Sequence, residues 1–223
     1  MINPSMNVSV LGGTGAQGMG LALRAAHAGL NVCVGSRDAA RAQAAADAIR
    51  ARVAGARVHG ASLNDAARHG DLVLLTVPFS AQLETARAAL EGLRGKILVD
   101  VTVPLRPPKV GRVQLPASGS CVLDLQEELG PDVRVVSAFQ NVAAHALADL
   151  EHAIDCDVLV CSDDVETRAT VIEFAQACGM RGLDAGPLAN SAAAEALTSI
   201  LIGMNRKFKT QNCGIRITGV PEP

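Results

Sequence analysis

Aromatic residues are nearly missing: the 223-residue chain has no tryptophan, no tyrosine and only four phenylalanines, Phe79, Phe139, Phe174 and Phe208. Stacking platforms for bases are therefore scarce. Charge supplies no basic stripe either, because 20 Lys and Arg stand against 22 Asp and Glu for a net charge of -2. Nucleic acid is excluded as a partner class. No apolar run reaches the roughly 18 residues of a membrane span, and residues 1–7 show neither a basic nor an apolar leader segment. A cytoplasmic protein with no membrane partner is expected. The six cysteines (Cys33, Cys121, Cys156, Cys161, Cys178 and Cys213) include no Cys-x-x-Cys pair and have no neighbouring His cluster. Neither a metal site nor a redox dithiol is suggested, and several lie in apolar runs that read as buried, reduced thiols.

What is present begins with glycine. An apolar run over residues 8–11 leads straight into Gly13, Thr14, Gly15, Ala16, Gln17 and Gly18, a Gly-x-Gly-x-x-Gly pattern at the passage from strand to helix. In a dinucleotide-phosphate loop Gly13 permits the tight turn, Gly15 lets backbone approach a pyrophosphate, and Gly18 lets the helix pack close to the strand. The N–H groups of Thr14, Ala16 and Gln17 then face outward at a helix N-terminus, where the dipole favours an anion. A glycine turn that only reverses the chain would share the pattern. The context decides: a helix over 21–28, Gly29 behind it and a second strand over 31–35 complete one βαβ unit.

A missing acid specifies the nucleotide. An Asp or Glu about 20 residues past the glycines would accept from a ribose 2′-hydroxyl, and here Gly35, Ser36 and Arg37 occupy that place. Ser36 and Arg37 can donate to a 2′-phosphate, with Arg41 one helical turn further on, so NADP(H) is the expected cofactor. Asp38 reads as the N-cap of a helix over 39–54, its carboxylate occupied by backbone N–H groups. On the competing reading Arg37 and Arg41 are solvated surface charges.

Strand and helix patterns then alternate. A short strand near 57–60 and a helix around 63–69 precede the run 71–78, apolar throughout its middle as a central parallel strand is. Ser80 is placed to cap a helix over 81–91, and 96–100 reads as another buried strand. The Pro-rich stretch 103–119 reads as an irregular loop, followed by a helix over 120–129 and a strand over 134–138. Residues 139–144 leave the carboxyl end of that strand, where open α/β sheets place their ligands. The expected fold is α/β, a Rossmann-type doubly wound and mostly parallel sheet over residues 1–155. Residues 156–223 read as a small C-terminal α/β lobe. It comprises a strand at 158–161, a helix at 164–177 capped by Asp163 or Asp164, and a strand at 181–185. A long apolar helix ending near Lys209 and an edge strand over 214–220 complete it. This lobe is expected to carry the acceptor site and a homodimer interface.

Several stretches resemble the NADPH-dependent coenzyme F420 reductases, over nearly the whole chain. They are Leu11-Gly12-Gly13-Thr14-Gly15, Gly35-Ser36-Arg37, Thr76-Val77-Pro78, Val135-Val136-Ser137-Ala138-Phe139, Gly186-Pro187-Leu188, Glu195-Ala196-Leu197-Thr198 and Asn205-Arg206-Lys207. The cytosolic domain of the STEAP ferric reductases is also similar. The resemblance implies a dimeric NADP-dependent oxidoreductase that moves a hydride between NADPH and C5 of a deazaflavin, coenzyme F420. It implies Ser36, Arg37 and Arg41 around the 2′-phosphate, and Thr76, Val77 and Pro78 beside the adenosine or nicotinamide half, with Ala138 grouped among the cofactor-binding residues. Two positions depart from the family: Gln140 stands where members often have His, and Ala81 where some do. Glutamine keeps a donor and an acceptor but does not protonate.

Hydride transfer between two flat rings requires mainly that they be stacked about 3 to 3.5 Å apart and dry. Phe139, Gln140 and Asn141 are the candidate catalytic residues, with Val142 and Ala143 completing an acceptor platform and Gln140 or Asn141 hydrogen-bonding the acceptor ring. Alternatively, Gln140 and Asn141 are loop groups that cap the next helix. His145 and His152 read as helix-surface residues. Rival functions are an NADPH reductase with a flavin, quinone or metal acceptor, and a non-catalytic NADP(H) sensor. A dehydrogenase of the 6-phosphogluconate or pyrroline-carboxylate reductase type is disfavoured, since too little chain follows the sheet for a long helical second domain.

Overall fold

Six short runs of mostly apolar residues build the sheet that positions everything else. In the computed structural model, which describes residues 2–221, they are β1 (Asn7–Leu11), β2 (Asn31–Ser36), β3 (Val58–Ser62), β4 (Leu72–Leu75), β5 (Ile97–Asp100) and β6 (Arg134–Ser137). The strand order is β3-β2-β1-β4-β5-β6, and every pairing is parallel. The Rossmann-type doubly wound sheet is thus as expected.

Side chains of period two sort cleanly to two faces. Val8, Val10, Val32, Val34, Leu74 and Val99 pack under α1 (Ala16–His27) and α2 (Ala39–Arg52). Leu11, Cys33, Val73, Leu75, Leu98 and Val135 pack under α3 (Leu63–His69), α4 (Gln82–Leu93) and α5 (Cys121–Leu129). With both faces covered, the strands carry unbroken apolar runs, as parallel sheets do.

Past β6 come α6 (Ala144–Ala148), β7 (Asp157–Val160), α7 (Val165–Ala177), β8 (Arg181–Asp184) and α8 (Ser191–Phe208). β7 and β8 form a separate parallel pair, bridged to β6 through Ser137 and Cys161. Val158, Val160, Val171 and Phe174 of this part extend the core on the α1 side. Arg24 of α1 fastens the join: its guanidinium donates to the carbonyls of Ala146, Leu147, Asp149, His152 and Cys178. Burial pulls its pKa down, and the carbonyls left over at helix ends take the place of a carboxylate.

Three local expectations are corrected. Helix α1 begins at Ala16, earlier than the 21–28 pattern, although Gly18 and Gly20 lie inside it. Packing overrides propensity there, because a Cβ on Gly20 would stand 2.5 Å from Cβ of Leu147. Ser80 caps nothing; it sits within a 3₁₀ turn, Phe79–Ala81, and α4 starts after it at Gln82 with no side-chain cap. The 214–220 segment is not a ladder strand. Only Ile215 O receives a β7 amide, from Asp157 N at 2.7 Å. The Asp157 carboxylate takes the Ile217 N–H at 2.6 Å, and Arg181 donates to Ile217 O at 2.8 Å. Side chains have replaced the backbone partners. Asp38 does cap α2, accepting from Ala40 N and Arg41 N, and Asp164 caps α7.

The contact of α2 with β3 is the tightest in the sheet. A Cβ on Gly60 would stand 2.2 Å from Gln43 N and 2.3 Å from Ala42 C, both backbone atoms that cannot rotate away. Gly60→Ala is expected to lower unfolding free energy by about 1 to 3 kcal/mol through overpacking. Gly203→Ala, within α8 where nothing lies within 4 Å of the added Cβ, should instead raise it by about 0.5 to 1 kcal/mol. Denaturant midpoints of the two variants measure both signs, and a shift in the same direction for both would refute the assignment.

Candidate active site

The turn from β1 into α1 lies beside the carboxyl ends of β1 and β4, where the strand order reverses. This is the crevice in which doubly wound sheets bind ligands. Its glycines divide their tasks differently from the sequence reading. The positive φ of the turn (83°) belongs to Gly12, which the pattern did not single out. Gly13 serves close packing instead: a Cβ there would lie 2.9 Å from Cγ1 of Val34 and 3.0 Å from Val10 O. Gly18 is pressed against Thr76 Oγ1 and the Gly13 backbone, at 2.4 and 2.8 Å from where a Cβ would be. Gly15 is exposed, with nothing closer than 3.5 Å, which leaves the approach to its backbone open. Gly15 is also the N-cap of α1, with no side-chain cap and no acid in the first turn. The first amides of the helix are left to an anion. Thr76 is held under this loop, its N and Oγ1 both donating to Leu11 O at 2.9 Å.

At the end of β2, Ser36 is buried and its Oγ accepts from Asp38 N at 3.2 Å. Arg37 and Arg41 are exposed, and the Asp38 carboxylate between them is occupied at the α2 cap. Two cations therefore stand free of the nearest acid.

A cavity of about 960 Å³ opens from this turn. Its walls are Gly15 to Gln17, Thr76 to Ser80 behind β4, Val101 to Val103 behind β5, Gln140 to Ala144, part of the 105–110 loop, and Thr198, Leu201, Ile202 and Asn205 of α8. Of the residues expected in the site, Gly15, Ala16, Gln17, Thr76, Val77, Pro78, Gln140, Asn141, Val142 and Ala143 meet here. Ser36, Arg37 and Arg41 do not line it; Ser36 ends β2, Arg37 follows it, and Arg41 lies in the first turn of α2.

Gly13, Thr14 and Gly18 belong to the loop but do not line the cavity, and neither do Phe139 and Ala138. Phe139 is 1% exposed and packs edge-on against Phe174, ring centroids 5.9 Å apart, so it offers no face to an acceptor. Its backbone explains this: φ is +70°, a left-handed turn that throws the ring into the core and presents the carbonyl, which Gln17 Nε2 binds at 3.3 Å. Ala138 is fully buried behind the wall. Gln140 and Asn141 line the cavity, but their amide nitrogens are already engaged. Gln140 Nε2 donates to Asp100 O and Ser137 Oγ, both at 2.9 Å. Asn141 Nδ2 donates to Ala194 O at 2.8 Å and Thr198 Oγ1 at 3.0 Å. They tie β5, β6 and α8 together, and neither caps α6, whose N-cap is Ala143. Gln140 Oε1 is buried without a partner.

Several wall residues were not foreseen: Phe79, Thr102, Arg106, Leu201, Ile202 and Asn205. Thr102 and Arg106 fall in or beside a stretch without periodicity, and the α8 residues belong to a helix whose apolar pattern alone does not say which face meets a ligand.

Residues 7–104 match the family described as NADP oxidoreductase coenzyme F420-dependent. The F420-dependent NADP reductase of Methanocaldococcus jannaschii is 41% identical over 223 residues, covering 96% of this chain and 99% of that protein. The Metalloreductase STEAP3 of Rattus norvegicus is 30% identical over 83% of this chain but only 35% of its own length. Among solved structures, that of a candidate F420-dependent NADP reductase from Arthrobacter sp. FB24 superposes with a TM-score of 0.79 at 26% identity, covering 96% of this chain and 100% of the other. By sequence over 96% of its length and by fold, the chain belongs to the F420-dependent NADP reductases.

Proposed function

We propose that this protein is an NADP-dependent oxidoreductase that transfers a hydride between NADPH and coenzyme F420. The single observation that carries the reading is the continuity of one cavity from the uncapped α1 N-terminus, past Thr76 and Val77, to the apolar wall of α8. A pyrophosphate suits the first part, and two stacked rings suit the rest. When both are bound, the dihydronicotinamide supplies the hydride and the deazaflavin takes it.

The chain's own residues bind and orient. Gly15, Ala16 and Gln17 receive the diphosphate, and Gly13, Thr14 and Gly18 hold the loop in shape. Ser36, Arg37 and Arg41 take the 2′-phosphate. Thr76, Val77 and Pro78 border the nicotinamide half, and Val101, Leu201 and Ile202 exclude water from the acceptor side. Gln140 and Asn141 act as positioning residues that fix the wall, and Gln140 Oε1 remains an acceptor for an N–H of the nicotinamide carboxamide or of the deazaflavin ring. On this reading residues 1–155 are the cofactor half, and residues 156–223 complete the acceptor site. Six free thiols, five of them buried, suit a reducing compartment such as the cytoplasm. No described helix is long and apolar enough to cross a membrane.

A homodimer forms through α8. Ile200, Met204 and Phe208, one face of the helix at i, i+4 and i+8, are 50%, 41% and 62% exposed. A second copy covers this stripe.

Three measurements test these statements. Purified protein mixed with NADPH and coenzyme F420 should show loss of reduced nicotinamide matched by loss of oxidised deazaflavin, and no exchange at any pH would overturn the assignment. Arg37→Ala should weaken NADPH binding roughly ten- to a hundredfold, as loss of a charge-assisted bond to phosphate does, and leave NADH binding nearly unchanged. Equal weakening of both would remove Arg37 from the 2′-phosphate. Sedimentation should give twice the chain mass, reduced to the chain mass by the pair Ile200→Glu and Met204→Glu.

A further inference from the structure

Behind the cavity wall lie two carboxyls that the binding of neither substrate explains. Asp100, the last residue of β5, is 0% exposed, and Glu195 of α8 is 1% exposed. The Asp100 carboxyl accepts from Gln82 Nε2 of α4, from Thr102 N at 3.1 Å and from Thr102 Oγ1 at 2.9 Å. Gln82 Nε2 also donates to Thr102 Oγ1 at 2.7 Å. Glu195 accepts from Ser120 Oγ, from Cys121 N at 3.0 Å and from Val122 N at 3.4 Å, the first turn of α5. Cys121 Sγ stands 3.6 Å from Thr102 Oγ1 and links the two groups. Thr102 is at once a cavity wall and the partner of Asp100.

Among the described residues, the groups facing Asp100 include no cation: Gln82 from α4, Cys121 from α5, Ser137 and Gln140 from β6 and the turn after it, and Glu195 from α8. Two buried carboxylates without a cation between them are costly, and the cheaper state carries one proton. The N-terminus of α5 favours the charge on Glu195. Burial, with Glu195 adding to it, lifts the Asp100 carboxyl to about 7, so near neutrality it exchanges its proton readily. Burial lifts Glu195 as well, opposed by the donors of Ser120, Cys121 and Val122.

We propose that Asp100, acting through Thr102, is a proton-holding positioning residue that compensates the charge of the nicotinamide, protonated while NADPH occupies the cavity and ionised once NADP⁺ does. The inference rests on the nicotinamide occupying this cavity. The balance closes as follows: two electrons and one proton leave the dihydronicotinamide as hydride, the ring becomes positive, and the acceptor that gained the hydride becomes an anion. The O–H bond of Asp100 then breaks, and its proton passes by way of the Thr102 hydroxyl to the cavity, where the anionic acceptor takes it. A negative carboxylate remains opposite a positive ring, and the missing cation of the Asp100–Glu195 pair is supplied.

The test is binding without turnover. The ratio of the NADP⁺ Kd to the NADPH Kd should fall about tenfold between pH 6 and 9, corresponding to a shift of about one unit in Asp100. Ionisation of the 2′-phosphate occurs alike in both nucleotides and cancels in the ratio. Asp100→Asn should make the ratio flat while NADPH still binds. Glu195→Gln, which removes the neighbouring charge, should keep the fall but move its midpoint to lower pH. A flat ratio in the unaltered protein, or an unchanged slope in Asp100→Asn, overturns the proposal. Where Asp100→Asn does not fold, an indicator dye decides on the unaltered protein: at pH 7 NADP⁺ should release more protons on binding than NADPH does, and equal release overturns it. Failure of both nucleotides to bind would overturn the cofactor reading itself, and this inference with it.

Discussion

The structure depends on how closely the backbone between β1 and α1 can approach the backbone after β4. Gly18 sits against Thr76 and Gly13, Gly12 sits against Val77, and Gly13 sits against β1 and β2, each with less room than a methyl group needs. That contact pins the N-terminus of α1 over the crevice and leaves its first amides uncapped. It also sets the height of residues 76–79, which form the adjoining wall of the cavity. Binding and folding thus draw on one steric constraint: whatever spreads this turn both loosens α1 from the sheet and misdirects the amides. The loop therefore carries glycine at positions where its entropy alone would be a cost of about 0.5 to 1 kcal/mol each.

What the sequence discloses here is whatever is encoded locally. Nearly unbroken apolar runs flanked by turn residues gave the parallel strands, Asp38 announced the helix it caps, and of the pair Asp163 and Asp164 the second caps α7. The absence of an acid after β2 is a plain fact of the sequence, and the structure leaves Arg37 and Arg41 exposed beside that place. The turn glycine was misread by one position because Gly12 and Gly13 are chemically identical, and only the φ of 83° distinguishes them. Phe139 was misread for a related reason. An aromatic residue at a strand's carboxyl end resembles a stacking surface, yet a left-handed φ of 70° turns it into the core. Backbone handedness at single residues is a tertiary outcome. The same holds for the tail beyond Gly214, where Asp157 and Arg181 capture the groups that a strand pattern assigns to a neighbour.

The polar interior was the least legible part. Gln82, Asp100, Thr102, Ser120, Cys121, Ser191 and Glu195 come from four elements and the loop between β5 and α5, and no single periodicity along the chain relates them. Each looks like an ordinary helix or strand residue in isolation. Together they make a satisfied network in a low-dielectric place, where partial satisfaction would be worse than an apolar filling. Its one unsatisfied feature is charge, not hydrogen bonding: two acids and no base. Gln140 repeats the pattern on a smaller scale, with both amide hydrogens engaged and Oε1 left over. Apolar residues of equal volume would have filled the space more cheaply, so the retained polar groups point toward the cavity rather than toward stability.

Helix α8 then joins these features. One of its faces takes Asn141 through Ala194 O and Thr198 Oγ1 and lines the cavity with Thr198, Leu201, Ile202 and Asn205, and Glu195 beside that face is held against the first turn of α5. Its remaining stripe, Ile200, Met204 and Phe208, is exposed. A helix is stiff along its axis, so a displacement imposed on the exposed stripe is felt at the acceptor wall and at the buried carboxyl within the same few turns. The Glu195 anchor resists such displacement, because moving it would strip a buried carboxylate of the Ser120, Cys121 and Val122 donors at once. Fixing the acceptor wall to the helix that holds the second carboxyl keeps the spacing between ring and charge constant. Compensation of that charge requires this constancy, since the Coulomb energy between them varies inversely with their separation.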